Sequence, residues 1–169
     1  NGSEVPEALP EDRAQRLQPW RMIAEEHARR PFHILVQGGD QIYADQVWHQ
    51  HPDLKPLEDA RDRATEMDFT DDMAAAVFGH YFQLYAGNGG EPGIREVLAS
   101  VPSLMIWDDH DIFDGWGSWH PDLQRSAVFQ GMYAAARANY AAFQLGVAAD
   151  GPLPELFLDR DGRHYGWAT

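Results

Sequence analysis

Cysteine is missing altogether from this 169-residue chain. There is therefore no disulfide framework and no thiolate zinc site, and the compartment stays open, because a cysteine-free chain suits reducing and oxidising settings alike, with a slight lean to the cytoplasm. Long apolar runs are missing too: nothing reaches the roughly 20 residues that a membrane-crossing helix needs. No basic and apolar leader is visible, although a chain opening on Asn1-Gly2-Ser3 can lack its true beginning. Positive charge is scarce. Thirteen Lys and Arg stand against 27 Asp and Glu, a formal charge of -14, which argues against broad binding to the phosphate backbone of nucleic acid. An acidic chain of this kind would need local positive charge, such as a metal ion supplies, to handle a phosphorylated substrate. No internal repeat or low-complexity tract occurs.

What is there is acid gathered at the ends of two short apolar runs. Leu104 to Trp107 empties into Asp108, Asp109, His110 and Asp111, the pattern of a buried strand delivering ligands to a loop at its carboxyl end. Three carboxylates beside one imidazole repel one another unless a cation or a set of hydrogen bonds holds them, so the cluster asks for a metal. A polar turn that caps a helix is the alternative for these residues taken alone. The second run, Phe32 to Gln37, ends in Gly38-Gly39-Asp40-Gln41-Ile42-Tyr43-Ala44-Asp45. Its two glycines let the loop bend sharply and place Asp40 at the strand tip.

Two motifs in this order carry a family resemblance. Gly39-Asp40-Gln41-Ile42-Tyr43 matches the Gly-Asp-x-x-Tyr motif of metallophosphoesterases related to purple acid phosphatases, and Trp107-Asp108-Asp109-His110-Asp111 resembles the PhoD-like alkaline phosphatase form of their Gly-Asn-His-Asp/Glu motif. The resemblance implies a calcineurin-like metallophosphoesterase. It also implies a site in which Asp40 bridges two metal ions, Tyr43 and Asp109 each hold one, and His110 stands near the leaving group. Asp109 replaces the Asn of many relatives and adds negative charge. Asp111 is then expected to accept a hydrogen bond from His110 and fix its tautomer. Iron, calcium, manganese and zinc are not distinguished by these residues.

Along the rest of the chain, Asn1 to Pro10 reads as an extended arm, and Leu17, Trp20, Ile23, Ala24 and His27 mark one face of a helix that Pro31 helps to end. Trp48-His49-Gln50-His51 reads as an exposed loop more than a metal pair. Lys55 to Met67 reads as a charged connector, with a short helix over Leu57 to Thr65 and no chemistry of its own. Thr70 caps a helix in which Met73, Val77, Phe78, Phe82 and Tyr85 recur to Gly87, followed by a turn over Asn88 to Gly93. A short helix spans Ile94 to Ser100. Asp114, Trp116, Trp119 and His120 are candidates for a pocket wall beside the acidic loop. A long amphipathic helix starts at Ser126, with Val128, Met132, Ala135, Tyr140 and Phe143, and a hairpin is expected over Pro154 to Thr169 about Asp161-Gly162.

These readings predict an α/β protein: one domain over residues 1–169, a partial layered metallophosphoesterase-like sandwich with several helices and a C-terminal hairpin. The family's earlier Asp motif and later Gly-His-x-His motif have no match, so the chain is expected to be part of a larger catalytic domain and inactive alone. An incomplete sheet would leave an edge open for self-association. The expected partner is a phosphorylated substrate of a phosphatase or phosphodiesterase, with no nucleic acid and no membrane. A non-catalytic acidic module that binds calcium or magnesium is the alternative, since oxygen ligands suit those hard cations.

Overall fold

The acidic loops are hung on two short parallel strands, β1 over Leu35–Gly38 and β2 over Ser103–Ile106, which pair with each other. The computed structural model describes residues 10–147, so the expected arm up to residue 9 and the expected C-terminal hairpin lie outside the described residues, while Pro10, read as the end of that arm, begins a helix. Five α-helices accompany the strands: α1 over Pro10–Arg29, α2 over Asp71–Gly90, α3 over Ile94–Ser100, α4 over Pro121–Gln124 and α5 over Ala127–Phe143. The mixture of helix with a small parallel sheet is compatible with an α/β class. No helix among the described residues is long and apolar enough to cross a membrane.

The chain divides into two compact units. The first comprises residues 1–36 and 87–104. In it α1 packs on α3, with Leu17, Val97 and Val101 buried. Gly93, just before α3, has φ 90°, and a Cβ there would stand 2.9 Å from the Arg21 amide nitrogen, so only glycine lets the two helices come this close. Glu96 accepts from the Gly93 amide, and Glu91 pairs with Arg13. His27 closes the end of α1 by accepting from the Phe32 amide at 3.0 Å, in keeping with an ordinary packing role.

The second unit, residues 37–86 and 105–169, holds the larger core and the acidic loops. Aromatic rings fill it: Trp48 against Phe113 at 4.9 Å, Phe113 edge-on to Phe129 at 5.0 Å, and Trp107 stacked on Tyr140 at 4.6 Å. Two tyrosines tie the helices to the backbone around the acidic loop. Tyr81 of α2 donates to the Ile112 carbonyl at 2.5 Å, and Tyr140 of α5 donates to the Met105 carbonyl at 3.2 Å. Burial, with the charges of Asp45 and Asp111 adding to it, pushes the Tyr81 phenol well above its ordinary value, so it stays a donor.

Several sequence expectations change in detail. The strands are not fully buried: Leu35 and Gln37 are half-buried while Val36 is exposed, and burial along β2 grows only toward Ile106. A two-stranded sheet has too little cover for more. Helix α2 runs on to Gly90 through residues read as a turn, at a cost of about 1 kcal/mol per glycine that its packing elsewhere offsets. Its buried face is Met73, Val77, Tyr81 and Tyr85, whereas Phe78 and Phe82 are exposed. Thr70 caps α2 as expected, accepting from the Met73 amide at 3.3 Å, and Ser126 caps α5 by accepting from the Phe129 amide at 3.3 Å. The connector forms two 3₁₀ turns, Lys55–Leu57 and Arg61–Glu66, that bury Leu57 and Ala64.

Candidate metal centre

The loops after β1 and β2 meet, although 69 positions separate Ile42 from Asp111. Gly39 makes the approach possible. Its φ is 109°, and a Cβ there would lie 2.6 Å from the Asp108 Cβ, inside any permitted contact. The Ala44 amide then donates to the His110 carbonyl at 2.9 Å, joining loop to loop through the backbone. Asp111 completes the clamp. Its side chain, 1% exposed, accepts from the Ile42 amide at 2.9 Å and from the Asp108 amide at 3.0 Å. Burial pushes its carboxyl up to about 6, against the downward pull of those amides.

Asp40 is left at the tip with φ 55°, the one positive φ outside glycine among the described residues. Asp is one of the few side chains that tolerate this left-handed region, and such strain persists only where the surroundings hold it. Oxygens of Asp40, Asp108 and Asp109 lie within 4.8 Å of one another, and ligand atoms of Asp109, His110 and Asp114 do so as well. Asp109 is common to both trios, whereas the resemblance implies Asp40 as the bridge. Tyr43 follows Asp40 with its hydroxyl 3.4 Å from Asp40 Oδ2 and its ring 4.8 Å from the His110 ring. It is 62% exposed, so its phenol stands at the open edge of the carboxylates. The Asp40 charge pushes that phenol's pKa upward.

These residues fit a cation. Asp40 Oδ1 is buried and has no hydrogen-bond donor, while two further carboxylates stand beside it. Desolvation, and then Asp108 and Asp109, push the Asp40 carboxyl upward, with His110 pulling the other way. An ion at this point would satisfy the orphaned oxygen and neutralise the repulsion together.

His110 is held by a residue that sequence reasoning did not single out. Its Nδ1–H donates to Asp45 Oδ2 at 2.8 Å, and Asp45 Oδ1 accepts from the Asp114 amide at 2.7 Å. Among the described residues no hydrogen bond joins Asp111 to His110. The expected Asp111–His110 pairing is absent because the Asp111 oxygens are turned inward onto backbone amides. Asp45 closes the same loop as Tyr43, and a carboxylate two residues after a candidate ligand was the available signal. Burial lowers the His110 pKa, but the bond to Asp45 and the charges of Asp45, Asp109 and Asp40 more than reverse this, leaving it above the ordinary imidazole value. Asp109 is steadied by the Gly115 amide, which donates to its Oδ2 at 2.7 Å.

The remaining candidates separate. Trp116 is buried and stacked on Tyr133 at 5.2 Å, a packing role and not a pocket wall. His120 is an exposed cap on α4. His49 pairs with Glu58 at 2.6 Å and His51 accepts from the Asp53 amide at 3.2 Å, so the two histidines do not converge.

The family model described as PhoD related phosphatase matches residues 15–151, a span that takes in both acidic loops. The chain belongs to that family. Among curated proteins it is similar to the uncharacterized protein YGR266W of Saccharomyces cerevisiae, 28% identical over 147 residues that cover 77% of this chain and 21% of the relative. The chain thus spans about a fifth of the length of the curated relative it matches. No solved structure matches it significantly.

Proposed function

We propose that this PhoD-related segment supplies part of a metal-dependent phosphoester-hydrolysing site. The observation that carries the reading is the convergence of Asp40, Asp108 and Asp109 oxygens on one point, with one of those oxygens buried and donorless. Asp40, Asp108 and Asp109 would hold an ion, with the Tyr43 phenol at the edge of that set. When bound, such ions polarise phosphoryl oxygens and lower the pKa of water for attack on phosphorus. The chain's own residues do the rest. Gly39 and Asp111 keep the two loops in register, so the carboxylates stay fixed while charge builds on the substrate. Asp45 holds the Nδ1 proton of His110 and so leaves Nε2 to face the reacting group. The raised pKa of His110 keeps that ring protonated toward neutral pH, ready to donate to a leaving alkoxide.

The test is metal titration. Calorimetry with manganese and with calcium on the chelator-treated protein, followed by assay of a chromogenic phosphoester in the full-length protein, should show saturable binding and metal-dependent turnover. Binding without turnover in the full-length protein would leave the non-catalytic calcium or magnesium module as the correct reading. Turnover that survives complete chelation would remove the proposal.

Asp45 gives a sharper check. Asp45→Asn keeps the shape of the side chain but weakens its hold on the His110 proton, and loss of an orienting carboxylate costs roughly 10- to 100-fold in activity. Because Asp45 raises the His110 pKa, the alkaline limb of the kcat profile should also move to lower pH in the variant. A variant with reduced kcat and an unmoved limb would deny His110 the acid role.

A further inference from the structure

Arg61 opens the 3₁₀ turn Arg61–Glu66, in the connector where the sequence suggests no chemistry. Its guanidinium lies over the Trp48 ring at 4.8 Å, over the Trp119 ring at 4.9 Å and near the Phe113 ring at 5.9 Å. Four of the other arginines take carboxylate partners: Arg13 with Glu91, Arg30 with Glu26, Arg95 with Glu96 and Arg125 with Asp122. Among the described residues no carboxylate pairs with Arg61. Three donors in this cluster are also buried without an acceptor: Arg61 Nη1, Trp48 Nε1 and Trp119 Nε1. Trp48 itself is almost wholly buried.

Buried donors left unmatched are costly, and three gathered about one guanidinium call for an acceptor-rich ligand. A single water accepts only two hydrogen bonds and leaves the charge uncompensated. An oxyanion supplies several acceptors and the opposite charge at once, and a guanidinium held 4.8 and 4.9 Å from two indole rings is pre-organised to receive it. The cluster also adjoins the acidic loops. A Cβ built on Gly115 would sit 3.0 Å from Trp119 Nε1, and the Gly115 amide is the one that holds Asp109 Oδ2 at 2.7 Å.

We propose that Arg61, with the indole N–H groups of Trp48 and Trp119, forms an oxyanion subsite that takes a phosphate-class group. That this group belongs to the substrate rests on the phosphoester reading above; the binding of the anion does not. The subsite would let an acidic protein draw in an anionic substrate beside carboxylates that, without ions, repel it.

The experiment is calorimetry of inorganic phosphate, with sulfate as a second probe, on the chain kept in chelator so that no metal site contributes. The wild-type protein should bind phosphate saturably, and Arg61→Met should weaken it by at least about tenfold, the scale of a lost charge-assisted contact. Trp119→Phe keeps an aromatic face and loses the N–H together with the five-membered ring. It should weaken phosphate binding by a smaller factor with an unchanged thermal melt, which separates ligand loss from misfolding. Asp40→Asn, which removes one of the carboxylates that repel an anion, should hold or strengthen phosphate binding in chelator while it removes metal binding, so failure of the metal reading stays distinguishable. A wild-type chain that takes up no phosphate, or an Arg61→Met chain that is folded and binds it as tightly as wild type, would overturn the proposal and leave Arg61 as a purely structural stack.

Discussion

Asp40→Asn is expected to abolish metal-dependent phosphoester hydrolysis in the full-length protein while making the metal-free fold more stable. Both effects come from the same carboxylate. It stands beside Asp108 and Asp109, which push its pKa upward together with desolvation, and its Oδ1 has no donor to offset that repulsion. Removing one of the charges relieves the apo protein. Asn also accepts the backbone angle, since Asn and Asp are the side chains most at home near the φ of 55° found here. With ions present the balance reverses, because an amide oxygen is a weaker ligand than a carboxylate. Loss of about 4 kcal/mol of charge stabilisation corresponds to roughly a thousandfold in rate. The check is a pair of thermal melts, in chelator and in manganese, beside the phosphoester assay. Wild type should gain more from metal than the variant. Equal gains, or undiminished turnover, would take Asp40 out of the site.

Asp111→Ala carries the largest expected loss of stability. Truncation strips the acceptors from two amides, Ile42 and Asp108, that meet an almost fully buried carboxylate. Each buried donor left unmatched costs about 1 to 3 kcal/mol, so the pair amounts to about 4 kcal/mol, a large part of the net stability of an ordinary domain. The loops at β1 and β2 should come apart first, and denaturant unfolding in chelator should show the loss. A pH dependence accompanies it. The folded carboxyl titrates near 6, above its ordinary value of 3.8, so the folded state holds a proton that the unfolded chain has released between those limits. Stability from this group is therefore complete below about pH 4 and falls as pH rises through 6, by about 3 kcal/mol in all. Asp111→Asn should lose that slope while keeping one acceptor. A variant whose stability tracks wild type from pH 4 to 7 would show that Asp111 is not the clamp.

Asp111 also shows where sequence and structure part. In the sequence it follows His110 directly, and a carboxylate beside an imidazole invites a pairing between the two. The 3₁₀ turn over Asp109–Asp111 turns it the other way, because its oxygens cap amides that would otherwise be buried without acceptors. His110 turns instead to Asp45, on the other loop, a contact that no local pattern encodes. Phe82 gives a similar lesson on α2. Its apolar character made it a core residue by periodicity, yet Tyr81 takes the inward position and Phe82 stays out. Helical spacing marks a broad face, and the loop after β2, where Tyr81 meets the Ile112 carbonyl, selects which part of that face is covered.

Much is legible in the order of residues. Thr70 and Ser126 announce helix starts because a hydroxyl before an apolar period has few other uses, and both act as caps. The two acidic stretches announce a shared site because like charges at strand ends need a common counter-charge, and the family match spans them both. Local chemistry of this sort depends on residues a few positions apart, so the order of residues by itself determines it. The trio of Asp40, Asp108 and Asp109, the Asp45–His110 bond and the approach of Arg61 to two indoles depend on contacts across tens of positions. Only tertiary packing decides them, because it chooses which of several chemically equal neighbours arrives within reach.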